Sequence, residues 1–164
     1  MDFTYPEVGA TRTGVLPAGY THLDVRMLLG NGPEVFRRAA ESLMTFQMHR
    51  AIPVKITTSA PRAVEGATVT VTLAGLVRAP CRIIWTRDEA RTAAWAYGTL
   101  RGHPEIGEES FVVEHRDDDT VWLVVTAFAR AGNRLARLAT PLIPLMQRLY
   151  ARRCGAVLRK HARN

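Results

Sequence analysis

The sequence predicts an α+β domain in which a curved antiparallel sheet wraps around a long C-terminal helix. Three observations carry this expectation. Through the middle of the chain, apolar residues alternate with polar ones, threonine prominent among them, which suits half-buried antiparallel strands. A single helical segment separates the first strand from that run. After Gly132-Asn133 the period lengthens, and Leu135, Leu138, Leu142, Met146 and Leu149 recur three or four apart along one stripe. With 164 residues, 47% of them hydrophobic and 23% charged, the chain fits one domain spanning 1–164. A domain near this size buries roughly 68–70% of its unfolded surface, enough for a core without disulfides or structural metals.

The elements follow in order. Residues 1–20 hold Pro6, Gly9, Gly14, Pro17 and Gly19 and read as an irregular lead-in. Tyr20–Leu29 places Leu23, Val25, Met27 and Leu29 on one face and reads as a first strand. Gly30-Asn31-Gly32-Pro33 turns the chain into a helix, since proline suits the first helical position. Phe36, Ala39, Ala40, Leu43 and Gln47 keep helical spacing, so this helix should run to about His49 and stop before Pro53. Strands are then expected around Ile52–Ile56, Val69–Leu73, Arg82–Trp85, Ala93–Thr99, Ser110–His115 and Val121–Arg130, the last two joined by a hairpin turn at Arg116–Asp119. The closing helix should start near Arg134, be kinked or restarted by Pro141 and Pro144, and bury its stripe against the sheet. This is the element order of a helix-grip domain, in which a cavity can form between sheet and helix. A plain sandwich with a filled core is the alternative.

Charge and cysteines narrow the function classes. The formal net charge is +7, and the cations gather from Arg130 to Arg163 without an acidic residue among them. No aromatic interleaving or nucleic-acid motif accompanies them, so a solvated helix face is expected rather than a nucleic-acid footprint. A basic surface for an acidic partner or anionic lipid is the competing reading. Cys81 and Cys154 show no metal-ligand spacing, and Cys81 reads as a small buried apolar residue. Residues 1–7 have neither the basic nor the apolar part of a secretory signal, and no run reaches the roughly 18–20 apolar residues of a membrane span. A cytoplasmic protein without a cofactor is the expectation.

Several segments carry a resemblance. Tyr5-Pro6-Glu7-Val8-Gly9-Ala10-Thr11, Leu16-Pro17-Ala18-Gly19-Tyr20 and Leu29-Gly30-Asn31-Gly32 precede a longer block, Ala96-Tyr97-Gly98-Thr99-Leu100-Arg101-Gly102-His103-Pro104-Glu105-Ile106-Gly107-Glu108-Glu109-Ser110-Phe111. With Ala127–Arg130 and the closing helix, these pieces resemble the uncharacterised protein family UPF0548 over essentially the whole chain. Phe46 stands where that family leads one to expect tryptophan, and Arg101 where proline is common. The family is similar to the START and pollen-allergen helix-grip superfamily. The resemblance therefore implies a fold and a motif, and no reaction.

The block from Gly98 to Glu109 holds the candidate chemistry. His103 with Glu105 and Glu109 could act as acid and base, because a carboxylate can orient an imidazole and raise its basicity. Glu108 belongs to the same carboxylate-rich run. A rigid structural loop, whose carboxylates accept amide hydrogen bonds, fits somewhat better. A metal site fits worse, since His-Pro-Glu matches no recognised ligand spacing. Alternation puts Trp95, Tyr97 and Thr99 on one face of a strand, and Glu109, Phe111 and Val113 on one face of the next. If those faces line a cavity, Trp95, Tyr97, Thr99 and Phe111 become ligand contacts, with Phe46 and Leu142 opposite them. The ligand would then be an apolar or partly polar small molecule, either simply bound or turned over by a cyclase-, isomerase- or hydro-lyase-type reaction. His49 is expected as a cation at a helix end and Arg130 as a surface ion-pair partner.

Overall fold

The computed structural model describes residues 2–73, 75–132 and 143–163. In chain order the elements are α1 (Ala10–Thr13), β1 (Thr21–Asn31), α2 (Pro33–Met44), α3 (Gln47–Arg50), β2 (Lys55–Thr58), β3 (Thr68–Leu73), β4 (Val77–Glu89), β5 (Thr92–Thr99), β6 (Glu105–His115), β7 (Thr120–Ala131) and α4 (Ile143–Arg163). The strands form one seven-stranded sheet in the order β1-β7-β6-β5-β4-β3-β2, and every neighbouring pair is antiparallel. Register shifts between Leu28 and Gly30 and between Ile83 and Trp85 bend their strands, as bulges do, and curve the sheet. α2 and α4 pack on the concave side, against β1 and against each other. This is the helix-grip architecture that the order of elements predicts.

Alternation explains the strand faces. Val121, Leu123, Val125 and Ala127 of β7 are buried on the concave face, where they meet Leu43 of α2 and Leu158 of α4 in the main core. β5 is buried along nearly its whole length, because its outer face is also covered. There Trp85, Ala94 and Ala96 form a second apolar cluster, and Thr11 of α1 accepts a 3.1 Å hydrogen bond from the Trp85 indole.

Four expectations need correction. The helix after β1 does not run through to His49: Phe46 adopts φ 61°, in the left-handed region, and this splits α2 from α3. A buried aromatic side chain in that backbone conformation is uncommon, and Phe46 is held there by the packing of its ring edge-on to Trp95 at 5.5 Å. Strand β6 begins at Glu105 rather than Ser110, so most of the expected loop is sheet, and only residues 101–104 turn. Arg130 makes no ion pair among the described residues and lies 4.9 Å over the Tyr20 ring instead.

The fourth correction concerns the C-terminal stripe. Met146 and Leu149 are 59% and 50% exposed, and the buried face of α4 is formed by Ala151, Cys154, Leu158 and Ala162. The helix therefore seals the sheet with its C-terminal half, while its first turns border an open space. Leu142, Leu138, Pro141 and the expected start near Arg134 lie outside the described residues. The cations Arg148, Arg152, Arg153, Arg159, Lys160 and Arg163 occupy the exposed face, and Arg159 donates to the Leu28 carbonyl at 2.6 Å. No helix among the described residues is long and apolar enough to cross a membrane.

Candidate functional site

The space beside the first turns of α4 is a cavity of about 610 Å³, enclosed by the concave sheet face, the segment Ile52–Val54 and α4. Most of the wall is apolar, with Val71 and Leu73 from β3, Ala79 from β4, and Met146 and Leu149 from α4. A few polar groups converge on it: Tyr97 and Thr99 from β5, His103 from the turn, Glu105 and Glu109 from β6, and Gln147, Tyr150 and Arg153 from α4.

Tyr97 and Glu109 are directly opposed in the β5–β6 ladder, and the Tyr97 hydroxyl donates a 2.5 Å hydrogen bond to Glu109 Oε2. Glu109 keeps some accessible surface because it faces the cavity, yet protein surrounds it. Burial pushes its carboxyl up to about 7, with the Tyr97 bond opposing that rise and the like charge of Glu105 adding to it. Tyr97 and Tyr150 are both held well above the usual phenol range, chiefly by burial and with Glu109 contributing. The Tyr150 hydroxyl is buried and makes no hydrogen bond among the described residues.

His103 is fixed by its neighbour two residues on. His103 Nδ1 lies 2.9 Å from both the backbone nitrogen and the carbonyl oxygen of Glu105, so one ring nitrogen is held by the Glu105 backbone. Burial lowers its pKa to about 4, so the imidazole is neutral near pH 7. Burial raises the Glu105 carboxyl, and Gln147 approaches both its oxygens at 3.4 Å, too long for strong compensation. The Thr99 hydroxyl is already engaged: it accepts from Gly107 N at 3.0 Å and shares a 2.6 Å bond with the Thr4 hydroxyl.

Adjacent glutamates in the same strand serve opposite faces. Glu108 points to the outer face, where it is 3% exposed and accepts from the Tyr5 hydroxyl at 2.9 Å, Gly9 N at 2.8 Å, Thr11 N at 3.0 Å and the Thr11 hydroxyl. The segment Tyr5–Thr11 and the block Gly98–Glu109, distant in sequence, are thus joined around one carboxylate. Gly98 permits this, because a Cβ there would lie 2.0 Å from the Tyr5 oxygen. Gly107 permits the neighbouring strand to close up, since its Cβ would lie 1.9 Å from the Phe128 carbonyl oxygen.

Of the expected site residues, His103, Glu105, Glu109, Tyr97 and Thr99 border the cavity together. Phe46, Trp95 and Phe111 do not: each is fully buried, and Trp95 and Phe111 pack behind Tyr97 with centroids 5.4 and 6.0 Å from its ring. His49 is not a helix-end cation. It is fully buried against Trp95, Phe111 and Tyr150, and burial lowers its pKa to about 3. Gln147, Tyr150 and Arg153 escaped the sequence reading, although their spacing of three places them on one face of a helix.

A curved antiparallel sheet, a long gripping helix and a cavity between them define a helix-grip protein. The chain belongs to the family described as a domain of unknown function, DUF1990, whose model matches residues 4–157. It is 30% identical to a UPF0548 protein of Deinococcus radiodurans over 94% of this chain and 85% of the relative. It is 25% identical to a UPF0548 protein of Arabidopsis thaliana over 87% of this chain and 74% of the relative. Among solved structures it resembles a hypothetical protein from Helicobacter pylori with a TM-score of 0.70 at 10% identity, covering 99% of this chain and 96% of that one. It also resembles the Zhui aromatase/cyclase of a Streptomyces species, with a TM-score of 0.60 at 16% identity over 88% and 94% of the two chains. Norcoclaurine synthase from Thalictrum flavum follows with a TM-score of 0.57 at 10% identity over 88% and 96%. These likenesses show the fold.

Proposed function

We propose that this protein binds a small, largely apolar organic molecule in the cavity between sheet and α4, with Tyr97 and Glu109 orienting its polar end. The observation that carries the reading is the cavity itself. Its 610 Å³ lies inside the roughly 300–1,000 Å³ typical of small-molecule sites, and its apolar wall with few convergent polar groups has the matching composition. A filled core would have placed Met146 and Leu149 against the sheet, whereas both border the open space. The proposed setting is the cytoplasm, where the buried free thiols of Cys81 and Cys154 stay reduced.

A second reading gives the same pocket a cyclase-, isomerase- or hydro-lyase-type reaction, and one observation favours it. A carboxyl poised at about 7 and bonded to a phenol can take or give a proton near neutral pH. In that reading Glu109 is the acid–base group, and neutral His103 and Glu105 assist.

Native mass spectrometry of gently purified protein tests the binding proposal. A reproducible adduct of a few hundred daltons, released by mild denaturation and absent when the cavity is filled by Ala79→Trp, is the expected result. An unliganded mass that stays unchanged after incubation with cell extract would overturn it.

A further inference from the structure

We propose that the cavity selects organic cations, namely apolar molecules carrying one protonated amine, with the ammonium seated against Glu109 beside the hydroxyls of Tyr97 and Tyr150. The inference rests on the binding proposal above and deepens it.

The polar inventory of the cavity argues for a cation. Two carboxylates, Glu105 and Glu109, face it from β6, and neither forms an ion pair among the described residues. The groups that act on Glu109 are a phenol and a second carboxylate, with no cation among them. His103 adds no positive charge near pH 7, because burial keeps the ring neutral. Arg153, one turn of α4 beyond Tyr150, is exposed and makes no contact with either carboxylate short enough for an ion pair.

The geometry also matches an ammonium group in particular. An ammonium offers three donors, and the acceptors present at this end are the Glu109 carboxylate and the free lone pairs of Tyr97, while the Tyr150 hydroxyl is buried without a partner among the described residues. Once Glu109 is ionised, a neutral ligand leaves its charge uncompensated and an anion meets a like charge. A metal ion fits less well, since among the described residues no three His, Cys, Asp or Glu side chains come together.

The remaining titratable groups around Glu109 leave its ionisation as the event that matters between pH 5.5 and 8. Burial holds Tyr97, Tyr150, Cys81 and Cys154 protonated there, and His103 stays neutral. Glu105 is raised by burial as well and acts in the same direction as Glu109.

The test uses three probes that share one ring system: naphthylethylamine, naphthylethanol and naphthylpropionate, titrated calorimetrically into the full chain. At pH 8 the amine should bind at least about tenfold more tightly than the alcohol, and the carboxylate most weakly. Lowering the pH to 5.5 should weaken the amine about tenfold or more as Glu109 takes up a proton, leaving the alcohol unchanged. Glu109→Gln, confirmed folded by its melting curve, should reduce the amine's preference over the alcohol to about threefold or less. The pH series on the natural chain gives the same answer should the variant fail to fold. An alcohol or carboxylate bound as tightly as the amine would overturn the cation proposal while leaving the cavity reading standing. An amine preference unaffected by both pH and Glu109→Gln would overturn it too, and binding of none of the three would overturn both.

Discussion

The Tyr97 hydroxyl donates a 2.5 Å hydrogen bond to Glu109, which sits directly opposite it on the neighbouring strand. One step along the same ladder, Gly98 opposes Glu108, and the chemistry changes completely. Glu108 is saturated by donors from the N-terminal segment, whereas Glu109 has one phenol and an open cavity. Because side chains alternate along a strand, a dipeptide of identical residues has been divided between a saturated outer face and the cavity wall.

Glu109 should make the fold less stable as the pH rises. Its folded pKa, about 7, lies above the ordinary glutamate value near 4.3, so the unfolded chain releases this proton first. Its contribution is fully favourable below about pH 4.3 and is lost by about pH 7. Glu109→Gln keeps the shape and an acceptor for Tyr97. At pH 8 it is expected to stabilise the protein by roughly 2–3 kcal/mol, and at pH 4 by almost nothing. Urea unfolding at both pH values checks this, and equal effects at the two would count against it.

Glu108→Ala should do the opposite. It strands the donors of Tyr5, Gly9 and Thr11 beneath the outer face, each bonded to that carboxylate in the native fold. A loss of about 3 kcal/mol or more is expected, with loosening of the first eleven residues visible in amide hydrogen exchange. A variant with unchanged stability would show that the N-terminal segment is not held by this carboxylate.

The contrast explains what could be read from the chain in advance. Alternation was enough to put Tyr97 and Glu109 on shared faces, and the change of period was enough to expect a gripping helix. The partners of Glu108 were out of reach, because Tyr5 and Thr11 lie about a hundred positions away and meet it only through tertiary packing. The break at Phe46 was hidden for a similar reason: local propensity favours continuing the helix, and packing against Trp95 overrides it. The stripe on α4 misled at Met146 and Leu149, since apolar residues at helical spacing can border a cavity as readily as fill a core.

His49 should govern the acid side of the stability profile. Its ring nitrogens have no hydrogen-bond partner among the described residues, and its pKa is depressed to about 3. The unfolded chain therefore gains a proton that the native state refuses, so stability present above about pH 6.5 is lost progressively toward pH 3. His49→Phe replaces an unsatisfied polar ring by an apolar one among the same aromatic neighbours. It should raise stability at pH 5 and flatten the acid limb, as denaturant unfolding between pH 3 and 7 would show. A destabilised variant with an unaltered acid limb would contradict this.

The two halves of α4 should respond differently to truncation. Leu158 is fully buried, so Leu158→Ala should lose about 2–5 kcal/mol. Met146 is 59% exposed at the cavity border, so Met146→Ala should change stability by only about 0.5 kcal/mol while altering the binding of an apolar probe. Thermal melts of the pair, with one probe titration, separate core from cavity wall.

The proposed role of the space between sheet and α4 is that of a ligand seat organised by Tyr97 and Glu109. A crystal structure of protein purified without denaturation or refolding tests it most directly. An organic molecule should occupy the cavity with a polar atom within hydrogen-bond distance of Glu109 or Tyr97. A molecule seated elsewhere on the protein, or in the cavity but far from both residues, would contradict it.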